Sequence, residues 1–170
     1  MTTTLTPRGR RNNNPLNIRH SASRWQGVRA EQTDNAFVQF VSMAMGYRAA
    51  WRTLETYHKR FEAKRMPFTP RNIIYRWAPP EENDSEAYLR TVCRLANLAG
   101  NAPLVRPSRA YDRTDKEKLI NLLAAMTCVE NGVKMEEVDV TAVREGYRQA
   151  FRSSTTLPSN SYEHTCLNSA

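Results

Sequence analysis

"TDKEKLINLLAAMTCVENG", residues 114 to 132, is the stretch on which the reading of this chain turns. Leu119, Leu123, Met126 and Glu130 recur at three and four, so they share one stripe of an α-helix that Thr114 or Asp115 opens. The Asn131-Gly132 pair stops it. The stripe therefore ends on an acid where a core residue is expected. That acid also stands at a helix C-terminus, whose partial negative charge repels a carboxylate. A carboxyl half-buried against apolar side chains resists ionising. A protonated acid near neutral pH is what cleavage of a glycosidic bond requires, because the leaving oxygen must receive a proton. The plainer reading is an acid frayed into solvent beside an ordinary glycine cap.

On both sides of this helix the 3.6-residue period recurs. Met43, Tyr47, Ala50, Leu54, Tyr57 and Phe61 place a helix from about Ser42 to Phe61, with Arg48, Arg52 and Lys59 on its wet side. "TPRNIIYRW" predicts a shorter helix, Thr69 its cap and Pro70 its first position. Asp84 or Ser85 caps "SEAYLRTVCRLANLAG", which Gly100 closes. Val140, Val143, Tyr147 and Phe151 make a last amphipathic helix over residues 140 to 152. "FVQFVSM" reads as a short strand or an extended approach to a helix. The chain divides into a flexible basic arm (1–11), one domain (12–152) and a polar C-terminal tail (153–170). The domain is mostly α, with little or no sheet.

The 170 residues suffice for one domain with a real core. No stretch reaches the roughly 18 consecutive apolar residues of a membrane span, and the mean hydropathy is −0.67. "MTTTLTPRGRRNNN" has no apolar h-region, so a protein made in the cytoplasm without a signal peptide is expected. Lysis, a pore or a larger particle would carry it further. Cys93, Cys128 and Cys166 have no metal-ligand spacing and leave an odd one under any pairing, which predicts reduced thiols. The net charge of +8 draws the surface to polyanions, nucleic acid or bacterial envelope polymers.

Two further segments offer groups suited to a glycan. "WAPPEENDSEAY" brings Glu81, Glu82, Asp84 and Glu86 together, and a second carboxylate would activate a water or steady an oxocarbenium ion. Asp84 and Glu86 suit a helix N-terminus, which leaves Glu82 and Asn83 as candidates. In "NNNPLNIRHSASRWQG", amides that donate and accept suit sugar hydroxyls and N-acetyl groups, and an indole face suits a pyranose ring. This nominates Asn14, Asn17 and Trp25, although such asparagines also hold loops together and Trp25 is equally a core residue. Asn131, beside the acid, completes the set. His20, His58 and His164 have no metal spacing and no nucleophilic partner, and the six glycines do not cluster as a phosphate loop does.

In order along the chain, "RGRRNNNPLNIRH", "WQG", "FVQFVSMAMGYRAAWRTLETY", "NIIYRWAPPEENDSEAYLRTV" and "LLAAMTCVENG" resemble the small phage virion proteins often called structural protein P5, related to the lysozyme-like superfamily. The family pattern is RGxRNNNPGNIR, W-x-G, F-x-x-F, R-W-(A/S)-P-x-x-(E/D)-N-x-x-x-Y and a helix ending E-N-G. The match runs from about Arg8 to Phe151. Its NNNP and WAPPxEN strings are specific; E-N-G alone is weak. The resemblance implies a single lysozyme-like helical domain. It also implies a lytic transglycosylase or muramidase that cuts peptidoglycan between N-acetylmuramic acid and N-acetylglucosamine. Glu130 would be the proton donor and Glu82 its helper, or the acid itself if Glu130 is structural. No metal or organic cofactor is implied, and the place of action would be the bacterial cell wall, with virion association.

Related glucosaminidases carry an "NLFGI" loop and W-x-G after the acid, whereas "NPLNI" and "WQG" precede it here. Read as a circular permutation, this order brings the N-terminal loop beside Glu130. Leu16 stands where the family has glycine, which predicts a different loop backbone or a more distant glycan. The lack of a second fixed carboxylate favours the transglycosylase route, in which one carboxyl acts as acid and then as base. Two rivals stand beside this reading. One is a non-catalytic virion or mobile-element structural protein that keeps the fold. The other is a nucleic-acid-binding domain, weakened because the arginines spread over several segments instead of lining one helix. Peptidoglycan strands are the expected partner, virion or mobile-element proteins come second, and nucleic acid is not expected.

Overall fold

The structure is a computed structural model and describes residues 6–152. Its helices are α1 (Arg8–Arg11), α2 (Met43–Ala63), α3 (Pro70–Trp77), α4 (Ser85–Ala96), α5 (Arg113–Asn131) and α6 (Val140–Ala150), with 3₁₀ turns at Pro107–Arg109 and Met135–Glu137. Among the described residues no strand forms. "FVQFVSM" is an extended approach to α2, and its neighbourhood holds two isolated antiparallel bridges, Arg19 with Phe37 and Val28 with Phe40. No helix among these residues is long and apolar enough to cross a membrane.

α5 carries the longest buried run in the fold. Leu119, Ile120, Leu122, Leu123, Ala124, Ala125, Met126, Thr127 and Cys128 are all buried, so this segment is enclosed on every side instead of along one stripe. α4 and α6 lie against it, and α2 lies against α6. At that last crossing Trp51 is fully buried, donates from Nε1 to the Val143 carbonyl at 2.9 Å and meets the Tyr147 ring edge-on at 5.1 Å. The backbones touch at Gly146, where an added Cβ would sit 2.6 Å from Tyr47 Cβ and 2.8 Å from the Arg48 nitrogen. Gly146→Ala is therefore expected to cost about 1–3 kcal/mol by overpacking. Thermal unfolding followed by circular dichroism measures it, and an unchanged midpoint would refute the close crossing.

Three helix boundaries differ from those expected. α5 starts earlier than Thr114, because Asp112 accepts from the Thr114 and Asp115 amides at 2.8 and 3.3 Å. α4 stops at Ala96 and not at Gly100, because Asn97 takes the left-handed conformation (φ 53°) and ends it. α6 ends at Ala150. Thr69 and Asp84 cap α3 and α4 as expected. The basic segment 8–11, expected to be part of a flexible arm, is instead the helical turn α1. Gly9 is buried there against Asn131, and Arg10 donates to the Glu137 carbonyl at 2.9 Å. Residues 1–5 of that arm, and the expected tail 153–170 with His164 and Cys166, lie outside the described residues. Cys93 and Cys128 are free thiols, the second of them buried.

Candidate active site

Gly132 ends α5 in the left-handed region (φ 62°) with its N–H on the Cys128 carbonyl, and the last turn presents Glu130 and Asn131 in different directions. The half-buried Glu130 side chain meets three donors. Its Oε1 accepts from Trp77 Nε1 at 3.1 Å and from the Tyr88 hydroxyl at 3.0 Å. Its Oε2 accepts from Asn17 Nδ2 at 3.0 Å, and the same amide reaches the Glu130 carbonyl at 3.2 Å. Asn17 arrives from 113 positions earlier in the chain. The N-terminal loop thus lies beside the acid, as the order of the motifs leads one to expect.

The three asparagines before Pro15 hold that loop in place. Asn14 is fully buried; its amide donates to the Ile18 and Val38 carbonyls at 2.9 and 2.8 Å and its oxygen accepts from the Ile18 amide at 2.9 Å. Asn13 donates to the Phe40 carbonyl at 3.2 Å. Asn12 donates to Asp34 Oδ2 at 2.8 Å and accepts from Gln39 at 3.0 Å. Asn131 clips the loop to α5, donating to the Pro15 carbonyl at 2.7 Å and the Thr127 carbonyl at 3.0 Å. Asn17 takes a left-handed backbone (φ 51°), a conformation that asparagine tolerates, and this turns its amide onto Glu130.

Glu130 opens into a cleft of about 560 Å³ lined also by Asn17, Trp25, Trp77, Glu82 and Asn83. Of the residues nominated from sequence, then, Glu130, Asn17, Trp25, Glu82 and Asn83 come together. Glu82 and Asn83 stand exposed on the rim; the Asn83 amide donates to the Pro79 carbonyl at 3.3 Å. The Glu82 carboxyl has no partner among the described residues. Asn14 and Asn131 do not line the cleft. The Asn14 amide and the Asn131 nitrogen bond main-chain groups, as latches do, and Asn131 Oδ1 is buried without a partner. Leu16, at the position where the family has glycine, faces inward. It is 1% exposed and part of the core, and the left-handed positions are its neighbours Asn13 and Asn17. Residue 16 thus adopts a backbone open to any side chain.

Trp77 and Tyr88 were not nominated from sequence. Both lie in "WAPPEENDSEAY": Trp77 closes α3, Tyr88 sits in the first turn of α4, and the intervening loop folds both onto one carboxylate oxygen. Burial, and then the charge of Glu130, push the Tyr88 phenol well above its usual range, so it stays a neutral hydroxyl. A hydroxyl rotor donates to a carboxylate and accepts from a carboxylic acid. Glu130 therefore has a partner in either protonation state. Asn17 Oδ1 and Trp25 Nε1, one acceptor and one donor, are buried without partners in the same wall. No group of three or more His, Cys, Asp or Glu among the described residues is placed to hold a metal ion.

Asp34 sets an acid limit on this loop. Hydrogen bonds from Asn12 and from the Ala36 and Phe37 amides bring its carboxyl down to about 2. A lowered folded-state pKa stabilises above the unfolded value near 4 and is lost as pH falls through 2. Trp25 fluorescence is expected to report loop loosening between those values, and Asp34→Asn to abolish that step.

No protein-family model matches the chain. The sequence is 31% identical over 147 residues to Protein P5 of Pseudoalteromonas phage PM2, covering 85% of this chain and 82% of that protein.

Proposed function

The chain belongs to the family of phage protein P5, and from the glutamate at the floor of its cleft we propose that it is a lysozyme-like glycosidase that cuts the glycan strands of peptidoglycan. The observation that carries this reading is Glu130, half-buried, oriented by three donors and open to a groove of ligand size. Glu130 gives its proton to the oxygen that links C1 of N-acetylmuramic acid to N-acetylglucosamine, and the C1–O bond breaks. The resulting carboxylate then takes a proton from the muramyl 6-hydroxyl as that oxygen bonds to C1, leaving a 1,6-anhydro end. In the hydrolytic variant, a water placed by Glu82 adds instead. Trp25 offers an indole face to a pyranose. A chain of net charge +8 is held on an anionic wall. No metal or organic cofactor enters these steps, and the place of action is the bacterial cell wall, reached as part of a virion.

Mass spectrometry of the muropeptides released from purified sacculi tests this, since anhydro and hydrated ends differ by one water. A second reading is a virion structural protein without activity. The same bonds favour it, because the Glu130 carboxyl ties α5 to α3, to α4 and to the Asn17 loop as a structural latch would. Absence of any release from pH 4 to 9 would select it.

A further inference from the structure

Beyond Tyr57, α2 and α3 form a second groove of about 600 Å³. α2 supplies Tyr57 and Arg60, its C-cap supplies Lys64, and α3 supplies Asn72, Tyr75 and Arg76. No carboxylate lines it. Arg60, Lys64 and Arg76 take part in no ion pair among the described residues, whereas Arg71, Arg106, Arg144 and Arg148 each hold a glutamate. A groove lined by three cations and no carboxylate is complementary to an anionic ligand.

The groove borders the cleft at one residue. Tyr57 lines both. Its ring lies 6.3 Å from that of Trp77, the residue bonded to Glu130, and 6.0 Å from that of Phe61. Arg76 lies 5.9 Å over the same tyrosine. Whatever polymer crosses the glutamate therefore has a basic, aromatic lane beside it. On the glycosidase reading, from which this step follows, each muramyl residue of the strand carries a peptide branch with free carboxylates. We propose that the groove between α2 and α3 binds those branch carboxylates, with Arg60 and Arg76 as the guanidinium partners and Lys64 as an added point charge.

The test titrates muramyl tripeptide, which carries the carboxylates, and chitotetraose, which carries none, into the full chain and into the double variant Arg60→Gln/Arg76→Gln. Both arginines are exposed, so the variant is expected to fold. Affinity for muramyl tripeptide should fall about tenfold in the variant, with chitotetraose affected less than about twofold. Added salt should weaken tripeptide binding to the natural chain more than to the variant. Equal affinities of the two proteins for muramyl tripeptide, or no binding by either, would overturn the proposal. So would a single-stranded oligonucleotide that displaces the tripeptide at lower concentration. Arginine-dependent tripeptide binding by a chain that releases no muropeptide would keep the groove and remove the glycosidase reading.

Discussion

Glu130→Gln is expected to lower muropeptide release by about 10²–10⁴-fold, the usual contribution of a positioned general acid, while the protein stays folded. The substitution keeps shape and removes the transferable proton. Its carbonyl can occupy the place of Oε1 and still accept from Trp77 and Tyr88. Its new NH₂ then stands where Oε2 was and faces Asn17 Nδ2, donor against donor. Relief requires the Asn17 amide to rotate, which brings its unpartnered Oδ1 onto the NH₂ and gives up the bond to the Glu130 carbonyl. One displaced hydrogen bond of this kind costs about 1–3 kcal/mol. A wall-embedded activity gel run beside a thermal melt separates the two effects. Full clearing by the Gln variant would remove Glu130 from the chemistry. No clearing by either protein, with a lowered melting point in the variant, would mark the carboxyl as a latch alone.

The second large effect belongs to Asn14. Asn14→Ala deletes three buried bonds at once and leaves the Ile18 amide and the Val38 carbonyl without partners, while the Ile18 carbonyl keeps the Val38 amide. An orphaned buried group costs about 1–3 kcal/mol, so a total near 3–5 kcal/mol is expected once some relaxation is allowed. That is a large part of a small domain's stability. The midpoint of urea unfolding should fall accordingly with an unchanged slope, and the loop should release Asn17 from Glu130 before the core melts. A loss under about 1 kcal/mol would show that these amide bonds do not hold the loop.

Helical periodicity made much of this legible in the residues alone. Leu119, Leu123 and Met126 declare a buried face, and the break in that pattern singles out Glu130. Thr69 with Pro70, and Asp84, announce helix starts because capping chemistry is local. The asparagines illustrate the limit. An amide's capacity to donate and accept is plain from its type, but whether it serves sugar or main chain depends on groups at other places in the fold. Asn14 meets Val38 from 24 positions away, and Asn131 meets Pro15 from 116. Residue type suits both to a ligand, yet their amide nitrogens serve the backbone. Trp77 and Tyr88 were passed over for the same reason. They lie 53 and 42 positions from Glu130, and only the docking of α3 and α4 onto the end of α5 brings them to one oxygen. Asp112 was missed because "YDRTD" offers several capping residues in a row, and geometry chooses among them.

The carboxyl at the end of α5 is oriented by an amide near the chain's start and by two aromatics from its middle. A fragment beginning after residue 17 would keep the glutamate but lose its Asn17 partner and one wall of the groove. A ribosome emits Asn17 first and Glu130 more than a hundred residues later, so no chain that stops short of Glu130 holds a finished site. On the glycosidase reading, the cell that synthesises this protein faces a working cutter only after the chain has closed on itself.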